Sequence, residues 1–588
     1  MINTFLRSKC VSLLKERQVS QIERVVHRLA SFTARHILQE TSDEAGTLLT
    51  RFAKHVALEL QNHVPIVPTV IRYADYFPIT DTRYLQKELT GISPDQLPAL
   101  IVFAFTYRPS ADPNKYATLL NELDATAIKL LPKMDLDTIL RTLYAFLYLM
   151  PNWIVRIDFY NAAMERILAK EISENLSKER FVQICFYLGL EKNRGAQNGE
   201  LFHKLLNTRL DSYLPVLSTL DLVMVANAAF KTSTRIESNA YNQRLIEEVL
   251  KLSPNEPSND ALLVTLVKAL RLQRVYSEEV FEYLKEYCSE DIIAKLQTRG
   301  CTHLFAYFAD NLWDEQCTIE PLVKHCLRRL VPSQKFDMVS EHMRGKDLAK
   351  FLWCCAQLNC KIPASDLKRI ELILLDKVDQ NEFRYFVDQL VESCLSLWIL
   401  GHKSFDLIEA AVSIKLRSQF SNKNYQKDLP KVESRFQVLL TCIAIEEPTW
   451  RFKNLKTPTL QNFDTPAPSY LLKNRSDLEK ITNKIGESPI VDFAKLVCPI
   501  NGINIPSILV SYKEPANSKM FVEFLSEDQE LKFSKSPVGL MRLKIRLLKA
   551  MGYKVTTLAA DDYDENNLEY LLSNVEADDV PKAQSIKV

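Results

Sequence analysis

The stretch DLAKFLWCCAQL, residues 347–358, spaces its apolar side chains as a helix with a buried face requires. Comparable stretches are LPALIVFAF at 97–105 and LDLVMVANAAF at 220–230. We align these stretches on one apolar residue each, called the anchors, which follow one another at intervals of 42, 42, 41, 40, 42, 44 and 42 residues. The anchors are Leu97, Ile139, Phe181, Leu222, Leu262, Leu304, Leu348 and Leu390. A period of about 42 residues with two helices per unit predicts a mostly α fold, a helical-repeat α-solenoid over residues 37–410.

The composition agrees with stacked helices. The chain has 588 residues, 47% hydrophobic and 25% charged, which is typical of a protein with a folded core. Its 12 glycines are about 2% of the chain, so folds that need many positive-φ positions are disfavoured. A large irregular helical domain is the alternative to the solenoid. The longest apolar run, residues 143–155, is too short to span a bilayer and contains Pro151, so no membrane span is predicted.

The first residues are basic and amphipathic. MINTFLRSKCVSLLK, residues 1–15, has three Lys or Arg and no acid, and acids stay rare through His36. Residues 1–36 therefore resemble a mitochondrial presequence, with an ordinary basic first helix as the alternative. These features predict import into mitochondria.

The 12 cysteines show no CxxC pair, which indicates reduced thiols in a compartment that is not oxidising. Cys317, His325 and Cys326 lack zinc-type spacing. We therefore predict no metal site and no cofactor.

The pattern changes after Cys498. Residues 503–513, 519–527 and 553–559 are strand-like, and Pro537–Met551 is an amphipathic helix with Gly552 at its end. The formal net charge of the chain is only +1, yet residues 531–560 hold seven basic residues and no acid. An acidic segment follows them. The basic residues predict a local phosphate-binding patch, unless the two blocks neutralise each other within the fold.

The segment VGLMRLKIRLLKAMGYKV, residues 538–555, resembles the RAP domain of organellar RNA-associated proteins. The resemblance lies in Gly539, Leu543-Lys544, Arg546-Leu547-Leu548 and Gly552-Tyr553-Lys554-Val555. FVEF at 521–524 looks like its acidic strand, and LEYL at 568–571 like its closing helix.

Two upstream stretches, 345–359 and 429–448, look like the regions that precede RAP in FAST kinase domain-containing (FASTKD) proteins. The order predicts a FAST_1-like region at about 335–410, a FAST_2-like region at 411–515, a RAP domain at 516–577 and a tail at 578–588.

This resemblance implies an RNA-binding factor of the mitochondrial matrix that controls the processing, stability or translation of transcripts, with single-stranded RNA and other RNA-granule proteins as partners. It does not imply a protein kinase, because the chain has no GxGxxG, HRD or DFG sequence. Similarity of RAP to the PD-(D/E)xK endonuclease fold makes Glu523 a candidate catalytic carboxylate, although Leu525 stands where the family pattern has a further acid.

Three functions follow from these observations. The first is a non-catalytic RNA-binding factor, with phosphate contacts from Lys532, Lys535, Arg542, Lys544, Arg546 and Lys549. For Lys544, a structural role beside Leu543 and Leu547 is the alternative. The second is a metal-dependent RNA endonuclease centred on Glu523, and the third is a scaffold that binds peptides. The sequence leaves the bound transcript, the family member and the oligomeric state open.

Overall fold

A computed structural model describes residues 89, 91–104, 113–150, 154–171, 176–190, 196–256, 259–296, 298–330, 343–383, 386–418, 429–450, 467–473, 475–513 and 518–559. The predicted presequence, the predicted closing helix at 568–571 and the predicted tail lie outside these residues.

The chain divides into two compact units, and both are rich in helices. The first comprises residues 1–252 and 261–275, and the second comprises 253–260 and 276–588. The described helices of the first unit are α1 (Leu97–Ala104), α2 (Pro113–Leu130), α3 (Leu136–Leu149), α4 (Asp158–Glu171), α5 (Lys178–Leu188), α6 (Ala196–Tyr213), α7 (Thr219–Thr232), α8 (Asn239–Leu250) and α9 (Asn259–Gln273). Three short 3-10 helices are also present, at Leu131–Lys133, Ile154–Arg156 and Leu214–Val216.

The second unit combines further helices with a small sheet. Its described helices are α10 (Glu278–Glu286), α11 (Glu290–Ile293), α12 (Thr298–Asp310), α13 (Gln316–Leu330), α14 (Gly345–Gln357), α15 (Ala364–Asp379), α16 (Val387–Ile399), α17 (Phe405–Ser418), α18 (Leu429–Glu446), α19 (Ser469–Leu472), α20 (Ser476–Gly486) and α21 (Gly539–Ala550). Its strands are β1 (Val491–Val497), β2 (Ser507–Tyr512), β3 (Lys519–Leu525) and β4 (Lys554–Ala559). Among the described residues, no helix is long and apolar enough to cross a membrane.

Each of the eight anchors lies in a separate helix and is at most 9% exposed. In the first unit α1 packs on α3, and α5 packs on α7. In the second unit α12, α14, α16 and α18 pack one on the next as a row. The mostly helical architecture is therefore confirmed, and the 42-residue solenoid stays a prediction.

Five of the eight helices that carry anchors end in the same way. After α7, α9, α12, α14 and α16 one residue takes a positive φ, and the next N–H donates to a carbonyl five residues back, as in a Schellman cap. The residues with positive φ are Ser233, Arg274, Leu312, Asn359 and Gly401. Only one of the five is glycine, so a chain poor in glycine accepts backbone strain at the other four positions.

The strain predicts stability changes of opposite sign at two exposed caps, Arg274 and Gly401. Arg274→Gly should stabilise the chain by about 0.5 kcal/mol, because glycine adopts φ +56° without a Cβ clash. Gly401→Ala should destabilise it by about 1 kcal/mol, because the space around Gly401 is open and only its φ of +87° resists a Cβ. Thermal unfolding should show shifts of opposite sign, of roughly 1 to 3 °C. Shifts of the same sign would contradict the strain argument.

The four strands form one mixed sheet in the order β1-β2-β3-β4. The pairs β1–β2 and β2–β3 are antiparallel, and β3–β4 is parallel, with α21 as the crossover. The predicted strands at 503–513, 519–527 and 553–559 and the predicted helix are confirmed at slightly shorter bounds. β1 precedes Cys498 and was not predicted, because Asp492 and Lys495 lie in its interior. Helix α20 packs on β1 and β2, where Leu478, Ile481 and Ile485 enter the core.

Helix α21 is covered on two sides. It packs on β4 of the sheet and on α14, α16 and α18 of the helical row. Gly539, its first residue, touches the end of α14 so closely that an added Cβ would collide with the carbonyl group of Ala356. The helix that carries most of the predicted basic residues therefore packs between the sheet and a row of helices, α12, α14, α16 and α18, which we call the helical row.

Candidate nucleic-acid interface

Helix α21 carries four of the six predicted RNA-binding residues. Its apolar residues Met541, Leu543, Leu547 and Leu548 are buried, so more than one face of the helix is covered. Gly552, at φ +90°, ends the helix as the sequence predicts. The environment of each cation decides whether it can meet a ligand.

Lys544 is sealed inside the C-terminal part. Its side chain and that of Glu523 are both 0% exposed, and Nζ lies 2.7 Å from Glu523 Oε2. The ammonium also donates to the carbonyls of Ile505 and Pro506, and the Ser507 hydroxyl donates to Glu523 Oε1 at 2.7 Å. Lys544 offers no surface to an RNA phosphate, and the structural role is the one its contacts describe.

The same ion pair bears on the catalytic hypothesis for Glu523. The carboxylate reaches no solvent, and a metal at its Oε2 would meet the Lys544 ammonium. Among the described residues, no group of three or more His, Cys, Asp or Glu side chains is placed to hold a metal ion. The residues that the structure describes around Glu523 therefore do not fit the metal that an endonuclease of this type needs.

Arg546 ties α21 to the helical row. Its Nε donates to Glu446 Oε1 at 2.7 Å, and its guanidinium also donates to the carbonyls of Trp398 and Ile399 at the end of α16. The Trp398 indole N–H donates to the same Glu446 carboxylate at 2.7 Å. We call this network the Arg546 clasp. Its contacts use the guanidinium within the protein, although the side chain is 37% exposed.

Arg542 lies one turn before Arg546 and differs from it. Its half-buried guanidinium makes no hydrogen bond or ion pair with any residue that the structure describes. Burial, followed by the nearby Arg546 charge, lowers the pKa of Arg542 below its usual value. A guanidinium removed from water without an acceptor is unfavourable unless a ligand supplies one.

Lys549 lies seven residues beyond Arg542, on the same side of α21. Its side chain is exposed and has no ion-pair partner among the described residues. The two residues are about 10 Å apart along the helix axis, at 1.5 Å per residue. We call Arg542 and Lys549 the α21 cations.

Lys532 and Lys535 lie in the loop between β3 and α21. Lys532 Nζ is 3.3 Å from the ring centroid of Tyr276, and its backbone N–H donates to the Leu312 carbonyl at 3.0 Å. Lys535 is largely exposed, with its ammonium 3.5 Å from Glu530. Lys532 therefore helps to hold the loop on the helical row, whereas Lys535 points to solvent.

Sequence reasoning missed an aromatic cluster beside this loop. Phe281 stacks on Trp313, and Phe533 packs edge-on against Trp313. Tyr276, at one end, is 50% exposed and Phe533, at the other, is 48% exposed. Periodicity did not show this cluster, because its rings come from sequence positions more than 200 residues apart. Tyr307 stacks on Phe281 from within the core and is fully buried.

Comparison with known proteins gives an independent result. No family model matches the chain. Two curated proteins match it, each 23% identical over 287 residues: FAST kinase domain-containing protein 5, mitochondrial, from Homo sapiens and from Macaca fascicularis. Over about half of its length the chain is therefore similar to FAST kinase domain-containing proteins.

The matched part is 48% of this chain and 34% of each FASTKD relative, so the chain spans about a third of the length of the relatives it matches. Both names include the word mitochondrial, which supports the predicted mitochondrial localisation. The RAP domain, the domain boundaries and the RNA contacts remain predictions.

Proposed function

We propose that this chain is a mitochondrial matrix RNA-binding factor that controls the processing, stability or translation of transcripts without cutting RNA itself. The observation that carries the proposal is Arg542, a half-buried guanidinium without an acceptor among the described residues, with exposed Lys549 two turns further along α21. A phosphate of single-stranded RNA would supply the acceptor that Arg542 lacks. Lys535 extends this basic surface along the loop before α21.

The environment of Glu523 favours a non-catalytic role. An endonuclease needs an open carboxylate that holds a metal ion, whereas Glu523 is enclosed by Lys544 and Ser507. We therefore propose that any RNA processing depends on an enzyme that this factor recruits. The C-terminal part would then serve as an RNA-binding platform.

The test is binding of fluorescent single-stranded RNA to the full chain across a salt series, with Arg542 and Lys549 both changed to Gln. Removing two phosphate contacts should lower the slope of log affinity against log salt by about 1.4. The matched control is Lys480→Gln with Lys519→Gln, which removes the same charge from exposed positions on α20 and β3. The control should keep the wild-type slope.

Three outcomes separate the alternatives. Equal loss in both double variants would mean that net charge, not the α21 cations, sets the affinity. Absence of RNA binding in the wild-type chain would reject the proposal in favour of a peptide scaffold. Cleavage in a Mg²⁺ reaction, abolished by Glu523→Gln with the fold intact, would establish the endonuclease instead.

A further inference from the structure

Two cysteines meet where α14 ends. Asn359 takes the left-handed conformation, with φ +55°, and the N–H of Cys360 donates to the carbonyl of Cys355 at 2.9 Å. This six-residue cap brings the side chains of its first and last residues together. Here those residues are Cys355 and Cys360, so their thiols lie close to each other at the end of α14.

The two thiols differ in access. Cys355 is 0% exposed, and its burial, together with the contact to Cys360, raises its pKa well above the usual value. Cys360 is half-exposed. An oxidant from solvent can therefore reach Cys360 first, while Cys355 is held in contact behind it.

The charge beside Cys360 is positive. The Arg542 guanidinium lies close enough to interact electrostatically with the Cys360 sulfur, and it has no other partner among the described residues. A cation next to a partly exposed thiol is the setting in which protein cysteines react with oxidants. One accessible thiol, one cation and one resolving thiol are thus assembled at a single helix end.

We propose that Cys360 and Cys355 form a peroxide-sensitive dithiol that closes to an intrachain disulfide. The Cys360 thiolate attacks one oxygen of hydrogen peroxide, the O–O bond breaks, and Cys360 becomes a sulfenic acid as hydroxide leaves. The Cys355 sulfur then attacks the Cys360 sulfur. The S–O bond breaks, water leaves with the Cys355 proton, and the S–S bond forms. The two sulfurs lose two electrons in total, and peroxide is reduced to water.

The crosslink would lie at the contact between the end of α14 and the start of α21. Within the same turn, the Asn359 side-chain amide donates to the Pro537 carbonyl at 2.8 Å, and the Ala356 carbonyl touches Gly539. A disulfide from 355 to 360 would hold this turn closed. Oxidation should therefore slow amide exchange in residues 354–360 and at the start of α21.

The experiment treats the reduced full chain with hydrogen peroxide, blocks the remaining thiols, and maps disulfides by mass spectrometry. We expect the 355–360 bond to form before oxidation at Cys317 or Cys498, which also reach solvent. In Cys355→Ala, a sulfenic-acid probe should label Cys360, because the resolving thiol is gone. Cys498→Ser is the matched control and should form the same disulfide as wild type.

The role of Arg542 is tested separately. Arg542→Gln should slow the oxidation of Cys360 about tenfold near neutral pH, and Arg542→Lys should restore most of the rate. An unchanged rate in Arg542→Gln would remove the cation from the proposal. A wild-type chain in which Cys317 or Cys498 oxidises while 355 and 360 remain thiols would overturn it, and this result does not depend on any variant folding. The proposal is independent of RNA binding.

Discussion

Replacement of Lys544 by methionine is expected to cost the C-terminal part of the chain about 3 to 5 kcal/mol. The substitution leaves Glu523 charged, fully buried and with only the Ser507 hydroxyl as a donor. An uncompensated buried charge is more costly than the loss of the pair itself.

Hydrogen exchange measured by mass spectrometry localises this effect. Peptides covering β3 and α21 should exchange at least about a hundredfold faster than in wild type, since 1.4 kcal/mol corresponds to a factor of ten. Peptides of α1 to α7, in the first unit, serve as the internal reference.

The matched variant is Glu523→Gln combined with Lys544→Met. It removes both charges, keeps an acceptor for Ser507, and should recover most of the lost protection. A Lys544→Met chain with wild-type exchange would show that the buried ion pair does not contribute to stability. A double variant as unstable as Lys544→Met would show that packing, not the charge on Glu523, decides the effect.

The second large effect is expected for Gly539→Ala. The new Cβ would lie 2.8 Å from the Ala356 carbonyl carbon and still closer to its oxygen, so backbone must move against backbone. Such overpacking costs about 3 kcal/mol. The displacement should also strain the Asn359 bond to Pro537 and the Arg546 clasp two turns further along α21.

Thermal unfolding of the full chain, with exchange in residues 345–360 as the local reading, tests this prediction. The control is Gly91→Ala, where an added Cβ meets no atom within 4 Å and no positive φ resists it. The control should unfold at the wild-type temperature within about 1 °C. Equal unfolding temperatures for Gly539→Ala and wild type would mean that the contact between α21 and α14 can rearrange without loss of stability.

The sequence predicted the helices and the strand–helix–strand end of the chain, because these depend on local spacing. All eight anchors are buried, and Leu543 and Leu547 face the core as the helical stripe predicts. β1 was missed because VDFAKLV has Asp492 and Lys495 in its interior and is half-exposed along its middle. It is a strand because it pairs with β2, and this pairing is not visible in its own composition.

The fate of the basic residues was less predictable. A charged stripe on a helix normally faces solvent, and that assumption suits Lys549 but not Lys544 or Arg546. Their partners, Glu523 and Glu446, lie 21 and 100 residues away in sequence and are brought close only by the fold. Local periodicity assigns faces to a helix, but it does not show what later packs against each face.

The position of α21 has a consequence for the synthesis of the chain. The helical row from α14 to α18 receives its cover only when α21 has been made, and 193 residues separate the end of α14 at residue 357 from the end of α21 at residue 550. A chain that is synthesised or imported from its N-terminus exposes the face of α14 before α21 is present to cover it. During that interval the uncovered apolar face is a binding surface for chaperones.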